Sequence, residues 1–339
     1  MDKYRHMEFY DLVKNMSFSE FLIYNFKDSP DFIFRLLLYI GGSIGIRVHY
    51  IFFVITFITI FLFLKVFKKY IESNNIERKY IVLATLLSLF SISYISVFSG
   101  MRNTLALSFI FYGYYLGLIE RKKYALFYLL LGVCTHFSVV LFLFIYLIYP
   151  YVKRISITKL RILLFCSLLF IILPKDFLLD FFRSLGLGGA LDIKANAYLI
   201  QKESSTIKSF SEKIIEFFDS IWIYLLSIYL IIKSQKRSEF YIVLLLLLIS
   251  INIFISMPII FNRYALFVKL ILVLFLIQNE IKFDKIKFSF FYLILFLVNC
   301  LFQIIVMRPG LIEIFDPSFL NWSFIYSIIE NNFTVNDIR

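Results

Sequence analysis

Two short runs place polar groups where a chain this apolar has few. Ser99-Gly-Met-Arg102-Asn-Thr-Leu-Ala106 sets an arginine at the head of an apolar stretch, and Cys134-Thr-His136-Phe-Ser138 sets a histidine inside another. A cation at the edge of a hydrocarbon layer is costly, so such residues tend to be kept where they act. Arginine offers phosphate oxygens a bidentate fork of donors. Histidine exchanges a proton near neutral pH. Each also has a plainer reading: Arg102 as a side chain that snorkels to the headgroups, His136 as a ring bonded to backbone that holds a turn closed. Arg263, in Asn262-Arg263-Tyr264, carries the same two readings as Arg102.

Further candidates are weaker one by one. Arg35 and Arg47 lie near glycines at the N-terminal membrane edge and read as anchors, Arg47 also as a contact for substrate. His49, beside Tyr50 at the entry to a span, reads as interfacial. Asp2, Asp11, Asp176, Asp180 and Asp192 are carboxylates for an acceptor or for sugar hydroxyls, and each also reads as a solvated loop charge. Tyr4, Tyr10, Tyr198 and Trp322 are platforms for a sugar ring or members of an interfacial aromatic belt. Metal chemistry has no motif: there is no D-x-D, no H-E-x-x-H, and His6, His49 and His136 are the three histidines. Neither a metal nor a cofactor is expected. The glycines at 41, 42, 45, 186, 188 and 189 precede no Lys-Ser/Thr and make no phosphate loop.

The elements that must position these groups belong to a membrane. Of 339 residues, 61% are hydrophobic and 17% charged. A soluble domain of that composition would expose large apolar patches. At about 20 residues per crossing, the length suits a single membrane domain, 1–339, of roughly ten helices. The net charge of +12 lies mostly in short loops between apolar runs, which writes orientation rather than nucleic-acid binding. Cys134, Cys166 and Cys300 fall inside apolar runs and read as small core residues. Met1 to Asp31 is polar and mixed in charge, so the first span is expected to act as an uncleaved anchor.

Apolar runs at 50–67, 80–98, 103–119, 124–149, 160–173, 218–233, 240–257, 263–278 and 288–307 are candidate crossings, with 32–46 a short, glycine-broken interfacial helix. Basic clusters at 65–79, 121–123, 153–161, 233–237 and 282–287 should all face the cytoplasm. Nine simple crossings forbid this, because 121–123 and 153–161 would flank one span. Breaking 124–149 into 124–135 and 137–149, with His136 at the tip and Ser138 capping the second half, places all five clusters on one side. The expectation is an all-α polytopic bundle of nine to ten crossings. On its extracytoplasmic side it carries residues 1–49, Arg102, His136, Arg263, a long loop at 174–217 and the tail 308–339. The loop, with helical periodicity from Asp176 to Arg183 and an amphipathic piece at 210–218, reads as a lid.

Arg102-Asn-Thr-Leu-Ala106, the basic turn at 121–123 and His136-Phe-Ser138 together resemble the EpsG family of exopolysaccharide and O-antigen synthesis proteins, of the Wzy polymerase type. In that family R-x-x-(hydrophobic)-A is followed about 30 residues on by F-H-x-[ST]; here Thr135 stands where the aromatic would be. Asp2-Lys-Tyr4 to Tyr10 resembles the family's D-x-x-Y segment, ahead of which members carry one or two hydrophobic segments, and Asn262-Arg263-Tyr264 a later arginine. The resemblance is specific across 94–149. It implies inverting glycosyl transfer outside the bacterial inner membrane, moving a growing glycan from undecaprenyl pyrophosphate onto a lipid-linked repeat unit. Donor and acceptor lipids, membrane lipid and a chain-length regulator are the implied partners. Arg102, Arg263, Arg47 and Tyr198 would bind substrate, and His136 and Arg102 would be catalytic. A flippase for lipid-linked sugars, a membrane O-acyltransferase and a non-catalytic scaffold stay open as alternatives.

Overall fold

The computed structural model describes residues 2–28, 31–171, 210–233, 237–255, 257–283 and 286–314. Asp176, Asp180, Asp192, Tyr198, Trp322 and most of the expected lid lie outside these residues. No strand occurs among them. The helices are α1 (Asp2–Val13), α2 (Phe18–Asp28), α3 (Phe32–Ser43), α4 (Val48–Ser73), α5 (Arg78–Ser91), α6 (Tyr94–Ser99) and α7 (Met101–Leu118). There follow α8 (Ala125–Thr135), α9 (Val140–Val152), α10 (Ile157–Ser167), α11 (Phe210–Ile232), α12 (Glu239–Asn252), α13 (Pro258–Asn279) and α14 (Ile286–Ile314). Short 3₁₀ turns cover Phe137–Val139, Leu168–Ile171 and Ile281–Phe283.

A helix that is apolar all round must be buried all round. α12 is buried from Phe240 to Leu248, and α13 from Phe267 to Ile277. α7 is enclosed too, although Arg102, Asn103 and four tyrosine or threonine side chains dilute its hydropathy. Surrounded by protein, it need not be apolar enough for lipid. α4 runs parallel to α7: Ile51, Phe52 and Ile55 share an apolar cluster with Met101 and Leu105 at one end, and Lys69 donates to Glu120 at 2.9 Å at the other. α8 returns along α7 in close contact. A Cβ at Gly132 would lie 3.0 Å from the Ala106 carbonyl, and one at Gly113 would lie 2.8 Å from Leu129 Cδ2. Glycine at both positions lets the two backbones approach.

The outward faces are apolar, as lipid requires. Phe53, Phe57 and Phe61 form a stacked, exposed ladder along α4 at i, i+4 and i+8, with ring centroids 6.5 and 6.1 Å apart. Three described helical segments, Val48–Ser73, Ile260–Phe283 and Ile286–Gln303, are long and apolar enough to cross a membrane, and five shorter apolar helices accompany them. Several expectations change here. Cys134 and Cys166 are exposed rather than internal, placed on faces turned away from the protein. The run 80–98 is not one helix: Ile92 is extended, and Ser93 starts α6 by accepting the Ser96 N–H. Residues 210–218 lead into the next span as the start of continuous α11.

The run 124–149 breaks at His136, whose backbone is extended at φ −153°, ψ 112°. Ser138 does not cap the second half; Val139 holds that position, and the Ser138 hydroxyl is buried without a partner. The two ends of the broken run meet at one carboxylate. Glu239 accepts from Arg121, from the Tyr149 hydroxyl at 2.6 Å and from Lys153 at 3.1 Å. Arg161 donates to the carbonyls of Ile231 and Ile232, and Arg237 to that of Ile155 at 3.2 Å. Residues of the clusters at 121, 153–161 and 237 thus gather at one end of the bundle, the arrangement that charge alone demanded. Cysteines at Lys122 and Arg154, both exposed, should therefore react with an impermeant maleimide from the same side in membrane vesicles. Labelling from opposite sides would rule out the hairpin.

Candidate functional site

The end of the bundle opposite the basic clusters is organised by a residue that the sequence reading passed over. Asp31 stands at the N-cap position of α3, where an aspartate ordinarily accepts a backbone N–H of its own helix. Here it makes no such cap. Its carboxylate turns to other elements: Oδ2 accepts from Arg102 Nη1 at 2.8 Å and faces His136 Nδ1 at 3.2 Å. Oδ1 accepts the Phe137 N–H at 2.8 Å. The Asp31 side chain is 0% exposed, that of His136 8% and that of Arg102 24%. A fully buried carboxylate is tolerable only with such a set of donors.

Each partner is presented by a local feature of the chain. Arg102 lies in the first turn of α7, just after Gly100 separates that helix from α6. His136 lies in the break between α8 and the 3₁₀ turn that Phe137 opens, where the chain leaves the helix and the Phe137 N–H becomes free for an outside acceptor. The antiparallel register of α7 and α8, set by the Gly132–Ala106 approach, brings the break level with Arg102. α13 docks on the same place: Tyr264 donates its hydroxyl to the Ser138 carbonyl at 3.1 Å and packs its ring on Phe142. The charge of Arg263, next in sequence, reaches the His136 ring.

Asp31 and His136 both sit outside the helices, at breaks, and their protonation follows from their neighbours. Burial pushes the Asp31 carboxyl up, but the hydrogen bond from His136, the charges of His136 and Arg102 and the Phe137 N–H outweigh it and hold the group well below the usual carboxylate range. Burial likewise leads for His136 and lowers it; Arg102 and Arg263 add to that, against the Asp31 hydrogen bond. Near pH 7 the cluster holds an ionised carboxylate, a neutral imidazole and two guanidinium groups. Arg102 Nε is buried and has no hydrogen-bond partner among the described residues. The Arg102 guanidinium is anchored through Nη1 while its side chain stays 24% exposed, and that exposed part can meet an incoming anion.

Three of the expected site residues, Arg102, His136 and Arg263, are thus brought to one place. Arg47 stands exposed at the N-cap of α4 and takes no part in these hydrogen bonds. Tyr198 lies outside the described residues. Tyr10 is buried and donates to the Ile46 carbonyl at 2.7 Å, which ties α1 to the α3–α4 turn rather than offering a platform. Asp11 pairs with Lys14 at 2.7 Å on the surface. Among the described residues no three His, Cys, Asp or Glu side chains are grouped as metal ligands. Asp31 was hidden because Ser29-Pro30-Asp31 before an apolar run reads as an ordinary helix start. One signal pointed to it: no other acidic residue occurs between 32 and 71, and cations at the membrane edge need a counter-charge.

Arg102→Ala should leave the buried carboxylate short of a cation and cost about 3–5 kcal/mol. Adding Asp31→Asn should recover part of that loss, as read by thermal unfolding in detergent. Additive destabilisation by the two substitutions would show that they are not coupled.

No curated protein and no solved structure matches the chain. The EpsG family model matches residues 2–315, which include Asp31, Arg102, His136 and Arg263. A bundle of apolar helices with these groups at one end is therefore a membrane protein with a family assignment spanning nearly its whole length: the chain belongs to the EpsG family.

Proposed function

We propose that the protein is a polysaccharide polymerase that joins undecaprenyl-pyrophosphate-linked oligosaccharide units on the outer side of the bacterial inner membrane. The observation that carries this reading is the convergence of Arg102, His136 and Arg263 at the end opposite the basic clusters, with Arg102 partly exposed. In the reaction, the hydroxyl oxygen of the acceptor sugar attacks the anomeric carbon of the donor glycan from the face opposite its leaving group, inverting it. The bond from that carbon to the pyrophosphate oxygen breaks, and its electron pair leaves with the phosphate. Arg102 and Arg263 bind the pyrophosphate and stabilise the charge that develops on it. His136 takes the acceptor proton.

Deleting the gene should abolish the ladder of long surface glycan while single repeat units remain attached. Wild-type complementation should restore the ladder, and Arg102→Ala should not. Loss of single units as well would overturn the reading and point to lipid-linked sugar transport. A second outcome concerns pH. A base must be unprotonated, so kcat/KM should fall as pH drops through the His136 pKa, with the acid limb below the usual histidine value of about 6.5. Polymer formation in reconstituted vesicles measures it; a rate that does not fall on the acid side would exclude His136 as the base.

A further inference from the structure

We propose that Asp31 is a positioning residue that holds the proton of His136 on Nδ1, so that Nε2 is the nitrogen offered to the acceptor hydroxyl. The inference rests on the polymerase reading and specifies how its site is set. Asp31 spends both oxygens outside its own helix, on Arg102, Phe137 and His136, although an N-cap position offers backbone N–H groups close by. A carboxylate that accepts from a guanidinium and a backbone N–H is ionised and has no proton to give. Its 3.2 Å contact with His136 Nδ1 is then attractive only if Nδ1 carries a hydrogen. A neutral imidazole has one N–H, which leaves the lone pair on Nε2. The charged groups facing the ring are Asp31 ahead of α3, Arg102 of α7 and Arg263 of α13.

During transfer, the acceptor oxygen bonds to the anomeric carbon, the carbon–oxygen bond to pyrophosphate breaks with its pair on oxygen, and the hydroxyl proton passes to Nε2. The imidazolium so formed is paired through Nδ1–H with the Asp31 carboxylate. The same carboxylate anchors Nη1 of Arg102, which leaves the exposed part of the guanidinium for the departing phosphate. One buried anion thus aims both the base and the cation.

The test is nitrogen-15 NMR of histidine-labelled protein in lipid vesicles at pH 7.5, with His136 signals assigned by their loss in His136→Gln. Wild type should show hydrogen on Nδ1 and none on Nε2. In Asp31→Asn the amide oxygen still accepts a hydrogen bond, while its NH₂ donates to Nδ1, so the ring hydrogen should move to Nε2. Polymer formation from purified lipid-linked repeat units should then lose roughly 10²–10⁴-fold in kcat. Hydrogen on Nε2 in the wild type would overturn the proposal, and so would an Asp31→Asn protein with an inverted tautomer that keeps a tenth of the rate. If Asp31→Asn does not fold, the wild-type spectrum still decides. A wild type with the expected tautomer that makes no polymer would sink the polymerase reading while leaving the assignment of the proton intact.

Discussion

The architecture depends on one buried negative charge. Removing a carboxylate from water costs several kcal/mol unless donors replace the solvent, and Asp31 gathers its donors from elements far apart in sequence. That requirement explains the break at His136. In a continuous helix the Phe137 N–H would be spent on the carbonyl of Val133, four residues back. Because the helix stops, the N–H turns outward and Asp31 takes it. The carboxylate then stands at the start of the next helical segment, where the helix dipole favours negative charge. α3, α7 and the hairpin tip are held in register by satisfying one side chain.

The other end of the hairpin is held in the same manner. Glu239 receives Arg121 and Lys153 from its two feet, so the feet and the tip of the hairpin are each pinned by a single acid. Between the pins, glycine at 132 lets α8 lie against α7 without a gap. His136 is therefore carried on a short, doubly tethered scaffold, the kind of rigid support that a proton-transfer group and a phosphate-binding arginine need to keep their mutual distance through a reaction.

Much of this was written in the pattern of charges and apolar runs. The five basic clusters forced a break in 124–149, and the break falls at the histidine. Arg102 and His136 stood out because their surroundings were apolar. Asp31 did not, since an aspartate ahead of an apolar run has an ordinary local purpose, and only the three-dimensional course of the chain reveals that it serves another. The split at Ile92 was also invisible: Leu89-Phe90-Ser91-Ile92-Ser93 contains no proline or glycine, and the break depends on Ser93 finding the Ser96 N–H. Cys134 and Cys166 show a limit of composition. An apolar run identifies a helix in lipid but does not say which of its faces meets protein.

The separation of Asp31 from its partners also has a consequence in time. His136 follows it by 105 residues, roughly 5–20 s of synthesis at 5–20 residues per second. Arg102 follows after 71 residues and the hairpin break only after 105, so until then the carboxylate lacks its full set of donors and must stay hydrated near the headgroups. α3 can therefore settle beside α8 only after the hairpin has been threaded, although α3 leaves the ribosome first. The segment that carries Asp31 is thus made well before the groups it docks against, and closing it over α7 and the hairpin tip completes the site.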